Sequence, residues 1–248
     1  MVRTPFRDGS QYLLLEEQEW RQEQRVIGMH RLGMEPELKN LSASFNMGLA
    51  ESAKERNGHK YIGNITWKQG ICLNLILGVE TPTLREFLDV YHTLDAGRRG
   101  ERDIYDGLGK KVDEKEATKW FNELFGRRKP YRAAWLDAHF VKRGKSLYLE
   151  QQHNFSESGL VPSNSSKLLP YLHNSGWLDV SSVNKQGLAV RKSAEKKLYG
   201  FSPEENTVAR FDANSGGASL SCGGDPAGSD SNLGVIASAS RERAPFKL

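Results

Sequence analysis

The sequence predicts an α+β protein: a helical first part, then a domain of helices and a small, mostly antiparallel sheet. Three observations carry this. Apolar residues recur at helical spacing as far as about residue 125, with capping residues in front and glycines behind. From Trp135 onward the pattern shifts to short runs that alternate apolar and polar, the period of a strand. The chain has 248 residues, 38% of them hydrophobic, which is enough to bury a core and argues against global disorder. Two parts are expected, a helical N-terminal segment over 1–60 and a second domain over 61–248.

The elements follow in order. Gln11–Met29 is polar, with Leu13, Trp20 and Ile27 seven apart, a narrow helix stripe. After Gly33, Glu35–Asn57 repeats the idea with Leu38, Leu41, Phe45 and Leu49, and Gly58 stops it. The pair reads as a helical hairpin packed on the rest, or as an element of assembly that would build oligomers. Thr66 and Gln69 have the spacing of a capping box, so a helix starts there and runs to Leu77 before Gly78. Thr81-Pro82 opens the next helix, whose apolar face is Leu84, Phe87, Leu88 and Tyr91. Asp113 with Glu116 opens a third, with Ala117, Trp120, Phe121 and Leu124 on one side and Gly126 at its end.

Trp135–Val141 and Ser146–Glu150, joined across Gly144, read as a β-hairpin. Residues 154–166 read as loop, Leu168–Leu172 as a short helix or turn, Trp177–Val180 as a short strand, and Lys185–Lys197 as polar, basic surface.

The segment 206–241 is the unusual one. Sixteen of the 23 residues from Asp212 to Gly234 are Gly, Ser, Asp or Asn, the composition of a disordered tail. The order within it argues for strands instead. Ala213, Ser215, then Ala218, Leu220 and Cys222 occupy every second position and would face a core. Asp212, Asn214, Gly216, then Gly217, Ser219, Ser221 and Gly223 alternate with them and would face solvent. The phase slips at Gly216-Gly217, where a turn or bulge fits. Leu233–Ile236 reads as a last strand. Outward residues of so little bulk add almost no strand propensity, so the domain beneath must hold them.

Charge and cysteine count limit the chemistry. There are 35 Lys+Arg against 31 Asp+Glu, a mild net charge of +4 that does not demand a nucleic acid. The whole surplus sits between Arg98 and Arg132, including Arg98-Arg99 and Arg127-Arg128-Lys129. Acids are interleaved there and no aromatic platform accompanies it, so a solvated surface is preferred over a phosphate-contacting patch. Asp106–Lys111 lacks the spacing of a phosphate loop and reads as a turn.

The histidines His30, His59, His92, His139, His153 and His173 never pair at i+3 or i+4, and no metal site is expected. Cys72 and Cys222 make no disulfide framework, and Cys222, on the apolar side of its strand, is expected to be a buried, inert thiol. No Gly-x-Ser-x-Gly elbow occurs. The longest apolar run, Ile71–Val79, is broken by Asn74 and falls far short of the ~20 residues of a membrane span. No secretory signal is visible at the N-terminus, so the expected site of synthesis is the cytoplasm, with surface or virion display left open.

Thr207-Val208-Ala209-Arg210-Phe211, the alternation after it, Cys222, Pro226 and Leu233-Gly234-Val235 together resemble the C-terminal variable region of target proteins of diversity-generating retroelements, of the archaeal type. Arg132–Ala138 and Asn184–Leu188 resemble members of the same group, and the resemblance spans roughly 61–241. It implies a C-type-lectin-like domain, of the kind shared with formylglycine-generating enzymes, whose variable region is about 206–241. It also implies a function: binding an unidentified macromolecular or surface ligand through residues diversified by adenine-directed reverse transcription. The displayed, ligand-binding positions would be Asp212, Asn214, Gly216, Gly217, Ser219, Ser221, Gly223, Gly224, Ser229, Asp230 and Asn232. Trp135, Arg210, Phe211, Leu220, Cys222 and Leu233 would be fixed structural residues. The resemblance implies no catalysis, cofactor or metal, since the cysteine arrangement of the enzymes and the Glu-Pro-Asn or Gln-Pro-Asp triplets of calcium-dependent lectins are absent. Two departures are Ile236 where Arg is usual and a displayed set without aromatics. The alternative functions are a nucleic-acid-binding protein using residues 98–132 and an enzyme of the formylglycine-generating type.

Overall fold

The structure, a computed structural model, describes residues 54–56, 59–61, 65–76, 80–105, 111–126, 132–156, 159–229 and 233–235. The expected helices of 1–53 lie outside these residues. At the end of that stretch β1 (Lys54–Arg56) pairs antiparallel with β2 (His59–Tyr61), so a small strand pair stands where the helix was expected to end.

The three later helices form where their caps are. In α1 (Trp67–Ile76) the Gln69 carboxamide oxygen accepts from Thr66 N at 2.8 Å, and Gln69 N donates to Thr66 Oγ1 at 3.3 Å. These bonds satisfy two of the donors that a helix start leaves open. In α2 (Leu84–Arg98) the cap is Thr83, with its own reciprocal bond to Glu86, so Pro82 lies just before the cap rather than inside the helix. The Pro82 carbonyl accepts instead from Asp137 N at 2.9 Å. Asp113 caps α3 (Glu114–Phe125) by accepting from Glu116 N, and Gly126 follows its last turn. Between α2 and α3, β3 (Ile104–Tyr105) pairs with β4 (Lys111–Val112).

The rest of the described chain forms one large mixed sheet, not the small sheet expected. Its strands are β5 (Arg132–Arg143), β6 (Ser146–Ser156), β7 (Gly159–Lys167), β8 (Gly176–Trp177), β9 (Leu198–Phe201), β10 (Thr207–Asn214), β11 (Gly217–Gly224) and β12 (Leu233–Val235). Their order is β7-β6-β5-β10-β11-β9-β8, and β12 pairs with β5 off this path. Two pairings, β11 with β9 and β12 with β5, are parallel, and the others in this sheet are antiparallel. The α+β class therefore holds.

One edge of β5 runs along β10. The other is shared, with β12 against Ala133–Trp135 and β6 against His139–Arg143. Where β6 leaves β5, a buried carboxylate spans the gap: Asp137 accepts from His153 N at 2.9 Å and lies 2.5 Å from His153 Nδ1. Gln152, at φ +58, sits beside this bend.

Each face of the sheet has its own cover. α2 and α3 bury Ala134, Leu136, Ala138 and Phe140 of β5 with Phe211 of β10 and Leu220 of β11. Phe87, Tyr91, Phe121 and Phe125 meet there, and Phe211 packs 5.1 Å from Phe87 and 5.6 Å edge-on to Phe125. Each such pair contributes about 0.5–1.5 kcal/mol beyond its area burial. On the opposite face α1 covers the β5 side. Trp135 Nε1 donates to Ile65 O at 2.9 Å, Trp67 Nε1 donates to Leu136 O at 2.8 Å, and the Trp67 ring meets His153 edge-on.

Candidate ligand-binding face

The face opposite α2 and α3 has a second half, formed by β8, β9, β11 and β10. The β10–β11 hairpin makes its centre. In β10, Phe211 and Ala213 are buried while Asp212 is half-buried and Asn214 exposed. In β11, Ala218, Leu220 and Cys222 are buried, Gly217, Ser219 and Ser221 are half-buried, and Gly223 is exposed. The register places Asn214 opposite Gly217, Asp212 opposite Ser219 and Arg210 opposite Ser221, so these residues share one side. A strand pair with this alternation must bury one set and display the other.

The phase slip read at Gly216-Gly217 is the turn of this hairpin. Asn214 Oδ1 accepts from Gly216 N at 2.8 Å, closing an Asx turn, and Gly217 has φ +143, a backbone that L side chains rarely adopt. Ser215, assigned to the core-facing set by spacing, is an exposed turn residue instead.

Gly224 requires a second correction. It is buried, and a Cβ there would stand 2.8 Å from Val208 O and 3.4 Å from the Trp135 ring. The cause is a bulge: Arg210 pairs with Ser221 but Val208 with Gly224, so Cys222 and Gly223 together face Ala209. The extra residue turns Gly224 toward Trp135. Ser229 is exposed in the loop beyond β11, and Asp230 and Asn232 lie outside the described residues.

The residues expected to be fixed divide in two. Trp135, Phe211, Leu220, Cys222 and Leu233 are all buried. Arg210 is not. It lies on the open face with 37% of its side chain exposed, in an ion pair whose Nε stands 3.0 Å from Asp212 Oδ2 without an aligned hydrogen bond.

Beside β11, β9 runs parallel, with Tyr199 level with Ser219 and Phe201 level with Ser221. Tyr199 in turn faces Trp177 of β8. Sequence spacing does not bring these aromatics to the displayed face. The available signal was the alternation Leu198-Tyr199-Gly200-Phe201, in which Leu198 and Gly200 are buried and Tyr199 and Phe201 are not. The strand expected over Trp177–Val180 shrinks to Gly176–Trp177, and Leu178 makes only an isolated bridge to Lys192.

The segment expected as basic surface, Lys185–Lys197, is also corrected at its start. Gln186, Gly187, Leu188 and Ala189 are buried. Asn184 Oδ1 accepts from Gln186 N and Leu188 N at 2.9 and 3.1 Å. Gln186 accepts from Leu169 N at 2.8 Å and donates to Ser166 Oγ and Lys167 O. Gly187, at φ +86, comes so near α2 that a Cβ would lie 2.4 Å from Arg85 N. Asn184–Leu188 is therefore a clamp between a long connection and the helix layer. Leu168–Leu172 forms no regular element.

Several other chemistry-bearing groups among the described residues are structurally engaged. Arg98 and Arg99 both bind the buried Asp95 carboxylate, at 2.6 and 3.0 Å, and the Arg98 guanidinium lies 4.2 Å over the Phe121 ring. Arg127-Arg128-Lys129 and most of Asp106–Lys111 lie outside the described residues. Burial pushes the Cys222 thiol up to about 12, which holds it protonated and poorly nucleophilic at neutral pH. Tyr171, which lines the same hollow as Cys222, is also raised, first by burial and then by that thiol. Among the described residues no group of three or more His, Cys, Asp or Glu is placed to hold a metal ion, and no helix is long and apolar enough to cross a membrane. No family model, curated protein or solved structure matches the chain.

Proposed function

We propose that the chain is a ligand-binding protein that displays a diversified surface, the target protein of a diversity-generating retroelement with a C-type-lectin-like domain. One observation carries the reading most. From Arg210 along β10 and on through β11, buried residues alternate with residues that reach solvent. Phe211, Ala213, Ala218, Leu220 and Cys222 are buried, while Asp212, Asn214, Ser219, Ser221 and Gly223 touch solvent. Such a surface can change its chemistry while its support stays constant. The kinship itself rests on the sequence resemblance of Thr207–Phe211, Cys222, Pro226 and Leu233–Val235.

Two revisions follow from the geometry. Gly224 leaves the displayed set, because a side chain there would strike Val208 O, and Gly217 is restricted by its positive φ. The working positions are then Asp212, Asn214, Gly216, Ser219, Ser221, Gly223 and the loop residue Ser229, together with Asp230 and Asn232, which lie outside the described residues.

The coding locus tests the proposal. A near-identical template copy of the codons for 206–241, differing where the template has adenine, is expected beside a reverse transcriptase gene. Independent isolates should differ at codons 212, 214, 219 and 221 and agree at 211, 213, 220 and 222. A locus with neither copy nor reverse transcriptase, or isolates that vary at the buried codons, would overturn it.

A further inference from the structure

The displayed positions carry no aromatic side chain, yet aromatic groups usually dominate binding energy at interfaces. The open face supplies them from other strands. Trp177, Tyr199 and Phe201 stand in a row, with ring centroids 5.3 and 5.0 Å apart and planes at 88° and 62°. Phe201 is 46% exposed, the most exposed large hydrophobic residue among those described. Register sets the row directly beside Ser219 and Ser221.

Charge and ring geometry restrict what can sit on this face. The four strands β8 to β11 contain just two charged residues, Arg210 and Asp212, and these pair with each other. The charges carried by these four strands cancel, so the strands themselves supply no cationic track for a polyanion such as a nucleic acid. The steep angles between the rings leave no coplanar run on which successive bases could stack. What remains is a ridged apolar strip bordered by small hydroxyl, amide and glycine positions. That is the anatomy of a protein interface, an apolar centre with a polar rim.

We infer that Trp177, Tyr199 and Phe201 form a constant anchor for a protein partner with an uncharged apolar patch, and that the neighbouring displayed positions select which partner docks. The inference rests on the proposed function and adds a division of labour. Affinity comes from residues outside the diversified segment. Discrimination comes from those inside it, where a single misplaced side chain blocks docking.

The test uses the full-length chain panned against a phage-displayed library of disulfide-constrained random peptides. Recovered peptides are measured against four variants. Phe201→Ala, with Phe201→Ser as a second removal of the ring, should weaken binding at least 10-fold. Ser221→Arg should do the same by blocking the strip. Val190→Ala, at an exposed apolar residue outside these strands, should leave binding unchanged. Peptides that respond to Ser221→Arg but to neither Phe201 variant would overturn the anchor while leaving the display face standing. Peptides indifferent to all four, or a library that fails to enrich, would overturn both. Ring-dependent binding of an oligothymidylate or of dextran would also overturn the assignment to a protein partner.

Discussion

Cys222 shows how one buried residue can report on the state of the sheet. Its side chain is buried, and burial raises the thiol from an ordinary value near 9 to about 12. In the native state the proton therefore stays on at a pH where the unfolded chain has already lost it. The native form then binds more protons, so stability falls as pH rises through that interval and is complete below it. The slope is at most about 1.4 kcal/mol per pH unit between roughly pH 9 and 12. Cys222→Ala removes the group, and comparison with it cancels the titration of lysines and tyrosines. Urea midpoints at pH 8, 9 and 10 should converge, with the wild type losing more stability than Cys222→Ala. Parallel pH profiles would show that the thiol ionises in the folded protein. The inward position of Cys222 was legible from alternation alone. Carried on from Ala218, Leu220 and Cys222, the same alternation makes Gly224 buried too, and only the resemblance sets it among the displayed residues; what spacing does not show is the bulge that aims it at Trp135.

At the scale of elements, legibility followed how local the cause was. The starts of α1 and α3 are written in Thr66/Gln69 and Asp113/Glu116, and those bonds are present. β7 has the sequence of a loop, because Gly159-Leu-Val-Pro-Ser-Asn-Ser-Ser-Lys167 shows little alternation and little strand propensity. It is a strand because β6 pairs with it along its length, and as an edge strand it tolerates Pro162. β9 is marked only by the alternation of its four residues, too short a run to separate a strand from the turns around it.

The junction of α2 with the segment before β9 is the element-level contact best suited to a test. Asp95, with 4% of its side chain exposed, holds Arg98, Arg99 and Lys197, which are 31–35% exposed. Removing one partner of a fully buried ion pair costs about 3–5 kcal/mol, and the partial solvation of these three cations reduces that to about 1–3 kcal/mol. Asp95→Asn should lower the urea midpoint accordingly while far-ultraviolet circular dichroism stays unchanged. A loss below 0.5 kcal/mol would mean that the cluster is an ordinary surface network.

At the scale of the whole molecule, the two faces of β10 and β11 divide stability from display, and the division can be measured directly. Phe211 is 1% exposed and joins Phe87 and Phe125 under the sheet, so Phe211→Ala should cost about 3–5 kcal/mol through lost burial and a cavity. Asn214, Ser219 and Ser221 lie on the other side of the same two strands, and surface substitutions away from special features usually change stability by less than about 0.5 kcal/mol each. The combined variant Asn214→Tyr, Ser219→Tyr, Ser221→Asp is bulkier, more aromatic and more acidic than the natural face. It should still unfold cooperatively, with a total loss smaller than that of Phe211→Ala alone. Asn214 carries an extra cost, because its carboxamide closes the turn onto Gly216, so restoring it should recover most of what the triple variant loses. A triple variant less stable than Phe211→Ala would mean that the outward residues also hold the sheet. A surface whose residues hold the sheet could not vary freely, and the separation on which the proposed function depends would be gone.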